Sequence, residues 1–204
     1  LLIFIICLAV LFRFYTLSTV PAHPTIDEVS TGYNAYSILN TGKDEFGVKY
    51  PILLRAYDDY RPALYAYLVI PFIKFFDLSV TAVRFPAAIL STLAVFFSYF
   101  LVKELISKKE KNRENLSLFF LFLFAVSPWD VYISRLGHEA NAGFAFFIFG
   151  LLFFLRYVNG EKILKNQAVQ LIFAAIFFAL SFDSYQSEKL VIPVITLSLG
   201  IIYT

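Results

Sequence analysis

Acidic and basic side chains gather in three groups along this chain. Carboxylates and imidazoles can accept protons or hold a divalent cation, and guanidinium groups bind anionic oxygen atoms. Two or three of these carboxylates with one His could hold a divalent ion, but none of the groups has the tight ligand spacing of a metal site, so a metal is not indicated and no cofactor is predicted. The groups are Asp27-Glu28; Asp58-Asp59-Tyr60-Arg61; and Arg135, His138, Glu139 and Asn141 within 127–141.

Composition places these groups in a membrane protein. Of the 204 residues, 59% are hydrophobic and 16% are charged, whereas soluble domains contain about 25% charged residues. A net charge of +2 is too small to indicate a nucleic-acid partner. Because the apolar residues form long runs, the predicted fold class is all-α, a polytopic transmembrane helical bundle. The chain lacks an initial Met, and we expect residues 1–204 to be the N-terminal part of one transmembrane domain in a longer chain.

Six apolar runs are candidate membrane-spanning helices, because a spanning helix needs about 20 mostly apolar residues. A seventh run, 62–76, is ambiguous because it is short and contains Pro71 and Lys74. The predicted spans cover approximately 1–17, 85–102, 116–128, 142–158, 167–182 and 190–203.

The distribution of basic residues decides how the seventh run is placed. Short cytoplasmic loops collect Lys and Arg, and the loops after the second and fourth spans are rich in them, with Lys162 and Lys165 in the later one. Both loops fall on the inner side only if 62–76 does not span the membrane. Residues 18–84 then form a long outer loop, and 62–76 is predicted to lie on the outer membrane surface. Arg13, near the outer end of the first span, is an exception to this charge distribution.

The long outer loop is predicted to carry two surface helices, at roughly 29–40 and 62–76, joined by a polar segment. Thr25 and Glu28 have the spacing of a capping box, and Gly42 fits a helix stop. All three charged groups then lie on the outer side, and the centres of the spans are nearly free of charge. A transporter usually places acids near the midplane of its helices, so this distribution suits an enzyme that joins a lipid-borne substrate to something outside.

Short motifs follow one another in a distinctive order. They are Asp27-Glu28; Arg61-Pro62-Ala63-Leu64-Tyr65; Phe76-Asp77-Leu78; Val83-Arg84-Phe85-Pro86-Ala87-Ala88; and Ser127-Pro128 with Arg135 and Glu139 downstream. In order and spacing they resemble the polyprenyl-phosphate-dependent membrane glycosyltransferases of GT-C type, which include the protein O-mannosyltransferases and the aminoarabinose transferase of lipid A. The chain departs from that pattern at Arg61, Ala63, Asp77 and Glu139, where the family commonly has Lys, Pro, Gly and Asp. These departures leave the sugar and the acceptor open.

The resemblance implies an inverting glycosyltransferase that moves a sugar from a polyprenyl-phosphate carrier to an acceptor. The acceptor is unknown and would be a protein hydroxyl, a lipid or a glycan, and the other expected partner is the lipid bilayer. An integral multi-pass protein of a prokaryotic plasma membrane, with its active site on the extracytoplasmic face, is the implied location.

The same resemblance implies roles for the charged residues. Asp27 would take the proton of the acceptor hydroxyl as a general base, and Glu139 would position a substrate hydroxyl or cooperate with Asp27. Arg61 and Arg135, with His138, would bind the donor phosphate, because fixed cations stabilise the charge that grows on a leaving group. A second tier of substrate-binding residues comprises Glu28, Asp58, Asp59 and Asn141.

Other interpretations fit the same residues. The whole chain could be a non-enzymatic transporter or flippase of lipid-linked sugars, or a glycan ligase or polymerase of another class. Glu28 could be only a helix cap, and Arg61 and Arg135 could be interfacial cations that extend toward the headgroups. Asp58 and Asp59 could be turn residues.

Overall fold

The computed structural model describes residues 1–56, 58–160 and 167–203, so Lys162 and Lys165 lie outside the described residues. Helices dominate, and the all-α fold class expected from the sequence is confirmed. In chain order the elements are α1 (Leu2–Phe14), α2 (Ile26–Thr41), β1 (Leu53–Ala56), β2 (Asp59–Pro62), α3 (Leu64–Phe76), α4 (Val80–Leu105), α5 (Arg113–Val126), α6 (Pro128–Ser134), α7 (Glu139–Val158), α8 (Gln167–Phe182) and α9 (Glu188–Tyr203).

Two long helices, α4 and α7, form the centre of the bundle and pack against each other, while α7 also packs against α8. Small side chains allow two helix backbones to approach closely. Ala87 and Ala94 of α4, with Ala142 and Ala145 of α7, are buried in this region. The same apolar cluster includes Leu54 of β1, so one core joins the bundle to the segments between α1 and α4.

Phenylalanine rings fill the interface between α7 and α8. Phe153 stacks on Phe173 and Phe177, with ring centroids 5.4 and 5.7 Å apart. Beside this stack, a Cβ atom built on Gly150 would lie only 2.7 Å from the ring of Phe178. The absence of a side chain at Gly150 therefore allows the two helices to close on the aromatic rings.

Residues 15–79, between α1 and α4, form a headpiece whose first helix is α2. The capping box predicted at its start is present: Thr25 Oγ1 accepts from the backbone N–H of Glu28 at 3.2 Å, and the Thr25 N–H donates to Glu28 Oε2 at 2.8 Å. Gly42 ends the helix in the left-handed conformation, with φ of +69°. The predicted helix is therefore confirmed, and it begins about one turn earlier than expected.

The polar segment of the headpiece contains a β-hairpin that the sequence did not predict. β1 and β2 pair antiparallel, with Leu54 opposite Arg61, and opposite residues share one face of a hairpin. Both of these residues are buried. The N–H of Ala63 donates to the carbonyl of Ile52 at 2.9 Å, and α3 starts at the next residue. Arg61 therefore lies on a strand whose pairing fixes its direction, and not at the edge of a surface helix.

The described helices differ in their capacity to cross a membrane. α4 and α7 are long and apolar enough, and α5 and α6, which are bent by 55° relative to each other, would provide a third crossing if they count as one span. α1, α3 and α8 are apolar but shorter. The six spans and the position of 62–76 on the membrane surface stay predictions.

Gly150→Leu is expected to destabilise the protein by about 1–3 kcal/mol, because the new side chain overlaps the ring of Phe178 and forces α7 and α8 apart. Gly200→Leu is the matched control, since in the described part of the chain a Cβ atom there meets nothing within 4 Å beyond its two neighbours and the backbone of its own helix. Thermal unfolding of the purified protein in detergent gives the comparison. Equal midpoints for the two variants would show that the approach of α7 to α8 does not depend on Gly150.

Candidate functional site

A buried ion pair joins the headpiece to the bundle. Glu28 of α2 is 2% exposed, and Arg84 of α4 is fully buried. Arg84 Nε donates to Glu28 Oε1 at 2.6 Å, and Nη2 donates to Oε2 at 3.3 Å, so the contact has two prongs. The guanidinium also donates to the carbonyls of Leu17, Pro21 and His23 at 2.9–3.2 Å. The pair therefore fixes the connection from α1 to α2 as well as the two helices.

Glu28 also bonds to the segment before α7. Its Oε1 accepts from the backbone N–H of Gly137 at 3.0 Å. A Cβ atom on Gly137 would lie 2.9 Å from the carbonyl oxygen of Val83, so this close approach requires glycine. Burial raises the pKa of Glu28, but the hydrogen bonds from Arg84 and from the backbone of Thr25 and Gly137 outweigh burial and bring the pKa below its ordinary value. Glu28 is thus a carboxylate at which four segments of the chain meet.

A second buried ion pair lies beside α1. Arg13 is fully buried and pairs with Asp130 of α6. The hydroxyl of Ser91 in α4 accepts from Arg13 Nε at 2.9 Å and donates to Asp130 Oδ2 at 3.1 Å. This contact explains the exceptional position of Arg13, which is an interior cation between three helices and not a loop residue.

Asp27 and Arg61, from separate charged groups of the sequence, are in contact. Arg61 Nη1 donates to Asp27 Oδ1 at 3.2 Å. The side chain of Asp27 is 55% exposed, whereas Arg61 is 8% exposed. Within the described part of the chain, Nε and Nη2 of Arg61 are buried without a hydrogen-bond partner. Unpaired buried donors are costly, so these two N–H groups are well suited to an anionic ligand.

A cavity of about 540 Å³ opens beside this pair, between the start of α2, the hairpin and the loop 43–49. Small-molecule sites commonly have volumes of about 300–1,000 Å³. We call this space the Asp27–Arg61 cavity. In the described residues, no group of three or more His, Cys, Asp or Glu side chains is positioned to hold a metal ion. The charged residues that line the cavity are Asp27, Glu45, Arg55, Asp58 and Arg61.

Arg135 lies away from this cavity. Its guanidinium donates to the carbonyls of Phe12, Tyr15 and Val20 at 2.6–3.2 Å. Arg135 thereby holds the end of α1 and borders an apolar groove beside that helix. Its predicted contact with a lipid phosphate stays a prediction.

His138, Glu139 and Asn141 lie at the start of α7, and none of them is among the described residues that line the Asp27–Arg61 cavity. His138 Nδ1 accepts from the backbone N–H of Ala140 at 3.1 Å, which places the proton of a neutral ring on Nε2. Glu139 is buried, with Oε2 3.9 Å from His138 Nδ1. Asn141 Nδ2 donates to the carbonyl of Ala87 at 2.9 Å and so joins α7 to α4. Their predicted roles in substrate binding stay predictions.

The connection between α8 and α9 contacts the hairpin beside the cavity. Asp58 lines the cavity, whereas the carboxylate of Asp59 accepts from the N–H of Tyr60 at 2.7 Å. The carbonyl of Tyr60 accepts from Gln186 Nε2 at 2.8 Å, and Gln186 lies between α8 and α9. The ring of the preceding Tyr185 contacts His138, with centroids 5.5 Å apart. The α8–α9 connection thus links the hairpin to the start of α7.

The family described as dolichyl-phosphate-mannose-protein mannosyltransferase matches residues 60–203. The matched part is well over half of the chain and includes Arg61, Arg84, Arg135 and Glu139. The chain belongs to this family. No curated protein and no solved structure matches the chain significantly.

Membership of the mannosyltransferase family agrees with the resemblance identified from the motifs. The chain is a membrane glycosyltransferase of the mannosyltransferase kind, and the family implies a lipid-linked sugar donor. This finding favours an enzyme over a non-enzymatic transporter. Asp27 and Glu45 precede the matched residues, so the Asp27–Arg61 cavity combines matched and unmatched parts of the chain.

Sequence reasoning did not identify Arg84 or Asp130 as partners in buried ion pairs. Arg84 lies in one of the motifs, directly before the predicted span 85–102, but an arginine at the edge of an apolar run resembles a loop cation. Its contact with Glu28 joins residues 56 positions apart. The only sign of the buried pair in the sequence was therefore Arg84 itself. No local pattern indicates that its partner is Glu28.

Arg84→Met is expected to destabilise the protein by about 3–5 kcal/mol, because the carboxylate of Glu28 is left buried without its cation. The double variant Glu28→Gln/Arg84→Met removes the buried charge as well and should recover part of this loss. Denaturant unfolding in detergent provides the measurement. If the double variant were as unstable as the two single losses added together, the two residues would not be coupled.

The lowered pKa of Glu28 predicts an acid-sensitive contribution to stability. A lowered folded-state pKa stabilises the fold above the ordinary glutamate pKa of about 4.3, and this contribution is lost as the pH falls through the folded value. We expect the thermal midpoint of the wild type to fall more steeply with acidification below about pH 4.3 than that of Glu28→Gln. Parallel pH profiles for the two proteins would contradict this contribution from Glu28.

Proposed function

We propose that the protein transfers a sugar from a polyprenyl-phosphate carrier to a hydroxyl acceptor, with inversion at the anomeric carbon. The family description supports mannose as the sugar. The observation that carries the proposal is the contact of a buried arginine, with two unpaired N–H groups, and an exposed carboxylate beside a cavity. An anion-binding group next to a proton acceptor provides the two functions that such a transfer requires.

Arg61 would bind the phosphate of the donor. Negative charge grows on that phosphate as the glycosidic bond breaks, and a fixed guanidinium lowers the energy of this transition state. Because Nε and Nη2 of Arg61 have no partner among the described residues, they can donate to two phosphate oxygens in the forked geometry that arginine favours. Strand pairing and burial hold the side chain in position, and the atoms that cover Nε and Nη2 would have to move aside for a phosphate to reach them.

Asp27 would accept the proton of the acceptor hydroxyl as this oxygen attacks the anomeric carbon from the face opposite the phosphate. Asp27 lies in the first turn of α2, where the helix dipole favours a carboxylate. Its exposure leaves room for an acceptor. A phosphate on Nε and Nη2 would share the charge of the guanidinium and weaken the contact of Nη1 with Asp27, which would free this carboxylate to act as the base.

We also propose that the cavity faces the extracytoplasmic side of a multi-pass protein in a prokaryotic plasma membrane. α4 begins at the headpiece and has 26 residues, a length of about 39 Å that exceeds the hydrocarbon core of about 30 Å. Cytoplasmic loops collect basic residues, so the loop at the far end of α4 would be inside and the headpiece outside. That loop, with the end of α4, contains Lys103, Lys108, Lys109, Lys111 and Arg113.

Asp27→Asn should reduce sugar transfer by at least about 100-fold, because an amide cannot accept the acceptor's proton. The exposure of Asp27 suggests that the variant stays folded. The measurement is transfer from radiolabelled polyprenyl-phosphate mannose to a Ser/Thr peptide and to a lipid extract by purified full-length protein. Glu110→Gln, which removes an exposed carboxylate at the other end of α4, is the control. Transfer by Asp27→Asn at the wild-type rate would rule out the proposed base.

Arg61→Gln should raise KM for the donor and lower kcat, with a loss of about 100-fold or more in kcat/KM, because a donor to the developing charge is removed. Arg61→Lys keeps the charge but loses the forked geometry, so its activity should lie between the wild type and Arg61→Gln. Lys74→Gln removes an exposed cation of α3 outside the cavity and serves as control. An unchanged donor KM in Arg61→Gln would contradict phosphate binding by Arg61.

A further inference from the structure

Glu45 is an exposed carboxylate that the fold holds in one position. Asn34 of α2 is 1% exposed, and its Nδ2 donates to Glu45 Oε1 at 2.8 Å. Its Oδ1 accepts from the backbone N–H of Glu45 at 3.1 Å. One buried amide therefore fixes both the main chain and the side chain of Glu45. The same Nδ2 also donates to the carbonyl of Ser30 at 2.9 Å, which holds the amide in its orientation.

The loop that carries Glu45 is itself tightly closed. Asp44 is buried, and its Oδ1 accepts from the backbone N–H groups of Phe46 and Val48 at 3.0 and 2.8 Å. The N–H of Asp44 donates to the carbonyl of Val48 at 3.0 Å, and Gly47 adopts φ of +88° at the turn. The position of Glu45 is thus determined by the loop as well as by Asn34.

Glu45 lines the Asp27–Arg61 cavity together with Phe46 of the same loop. In the described part of the chain, its Oε1 accepts from Asn34 and no hydrogen bond reaches its Oε2. The ring of Phe46 is exposed, with the guanidinium of Arg55 5.3 Å from its centroid. The cavity therefore has a preset carboxylate and an apolar surface on the loop, in addition to the Asp27–Arg61 pair.

We infer that Glu45, positioned by Asn34, recognises the transferred sugar by accepting hydrogen bonds from its hydroxyl groups. This inference rests on the proposed function, because it requires a sugar phosphate in the Asp27–Arg61 cavity. A carboxylate repels phosphate oxygens but accepts hydrogen bonds readily from hydroxyl groups. Because the sugar is bonded directly to the phosphate, a donor held by Arg61 has its hydroxyl groups inside the same cavity, where Glu45 and the ring of Phe46 can contact them.

The fixed position of Glu45 supports recognition over a solely structural role. An exposed glutamate ordinarily keeps its rotamer freedom in water, and ordering a long side chain has an entropic cost. Binding groups work best when a second residue holds them before the ligand arrives. A glutamine at 45 could keep the contact with Asn34 through its Oε1, so only the free Oε2 acceptor requires glutamate.

The test compares donors that differ by one hydroxyl group. Wild type and Glu45→Gln are assayed as purified full-length proteins with polyprenyl-phosphate mannose and with its deoxy analogues, each lacking one hydroxyl, and with a Ser/Thr peptide as acceptor. Glu45→Gln keeps a contact to Asn34 but replaces the free acceptor oxygen by an NH₂ donor. In Glu45→Gln we expect kcat/KM for the intact donor to fall about 10–100-fold. For the analogue that lacks the hydroxyl bound by Glu45, kcat/KM should fall little.

For each donor, kcat/KM of the wild type is divided by kcat/KM of the variant, because this ratio cancels the effect that a missing hydroxyl has on the reactivity of the sugar. Equal losses for every donor, or a change only in the acceptor KM, would overturn the sugar-recognition role. If the wild type transfers no sugar, both the proposed function and the inference that rests on it are contradicted. If the wild type is active and kcat/KM of Glu45→Gln falls equally for every donor, only the inference is contradicted. Glu110→Gln is the control carboxylate, and its kcat/KM should match the wild type for every donor.

Asn34→Leu tests the positioning residue with the same donors. Without the amide of Asn34, Glu45 is no longer held in position. As in Glu45→Gln, kcat/KM should therefore fall for donors that keep the hydroxyl bound by Glu45, and should fall little for the analogue that lacks it. A structural defect alone would lower kcat/KM by the same factor for all donors. If Asn34→Leu does not fold, the donor series on Glu45→Gln still decides the proposal.

Discussion

The buried pair of Glu28 and Arg84 is the constraint on which the rest of the site depends. A buried carboxylate without a cation is costly, so α2, α4, the α1–α2 connection and the segment at Gly137 have to meet where the pair forms. Consecutive residues of a helix point about 100° apart. Once Glu28 is directed into the core, its neighbour Asp27 is directed outward, and the pair thereby sets the rotation of α2 that brings Asp27 to the cavity.

Two parts of the cavity wall are fixed by independent means. Strand pairing places Arg61 opposite the buried Leu54, so the arginine side chain lies on the buried face of the hairpin. The buried amide of Asn34 fixes Glu45 on the loop side. Each of these two parts thus has its own backbone support. Such prior positioning is what a site needs in order to stabilise charge without reorganisation.

Charged residues that look alike in the sequence take different parts in this fold. Arg61 keeps two N–H groups without a partner in the described chain, whereas Arg135 donates to three backbone carbonyls at the end of α1. Arg13, near the end of a predicted span, is paired with Asp130 inside the bundle. Arginine suits all of these places because its planar group can serve several acceptors at once. Residue type and approximate side of the membrane were therefore insufficient to separate an arginine with unpaired donors from one whose donors are satisfied by the backbone.

The sequence by itself determined the membrane class, the all-α fold, the family resemblance, and the capping box and glycine stop of α2. These properties follow from composition, from the order of motifs, or from contacts within about four residues along the chain. Only the tertiary structure decided that Asp27 meets Arg61 across 34 positions and that Glu28 meets Gly137 across 109. It also revealed the hairpin and the anchoring of Glu45. Such contacts depend on how separately formed elements are oriented in space, and the periodicity of one segment contains no information about which distant residue completes a buried charge.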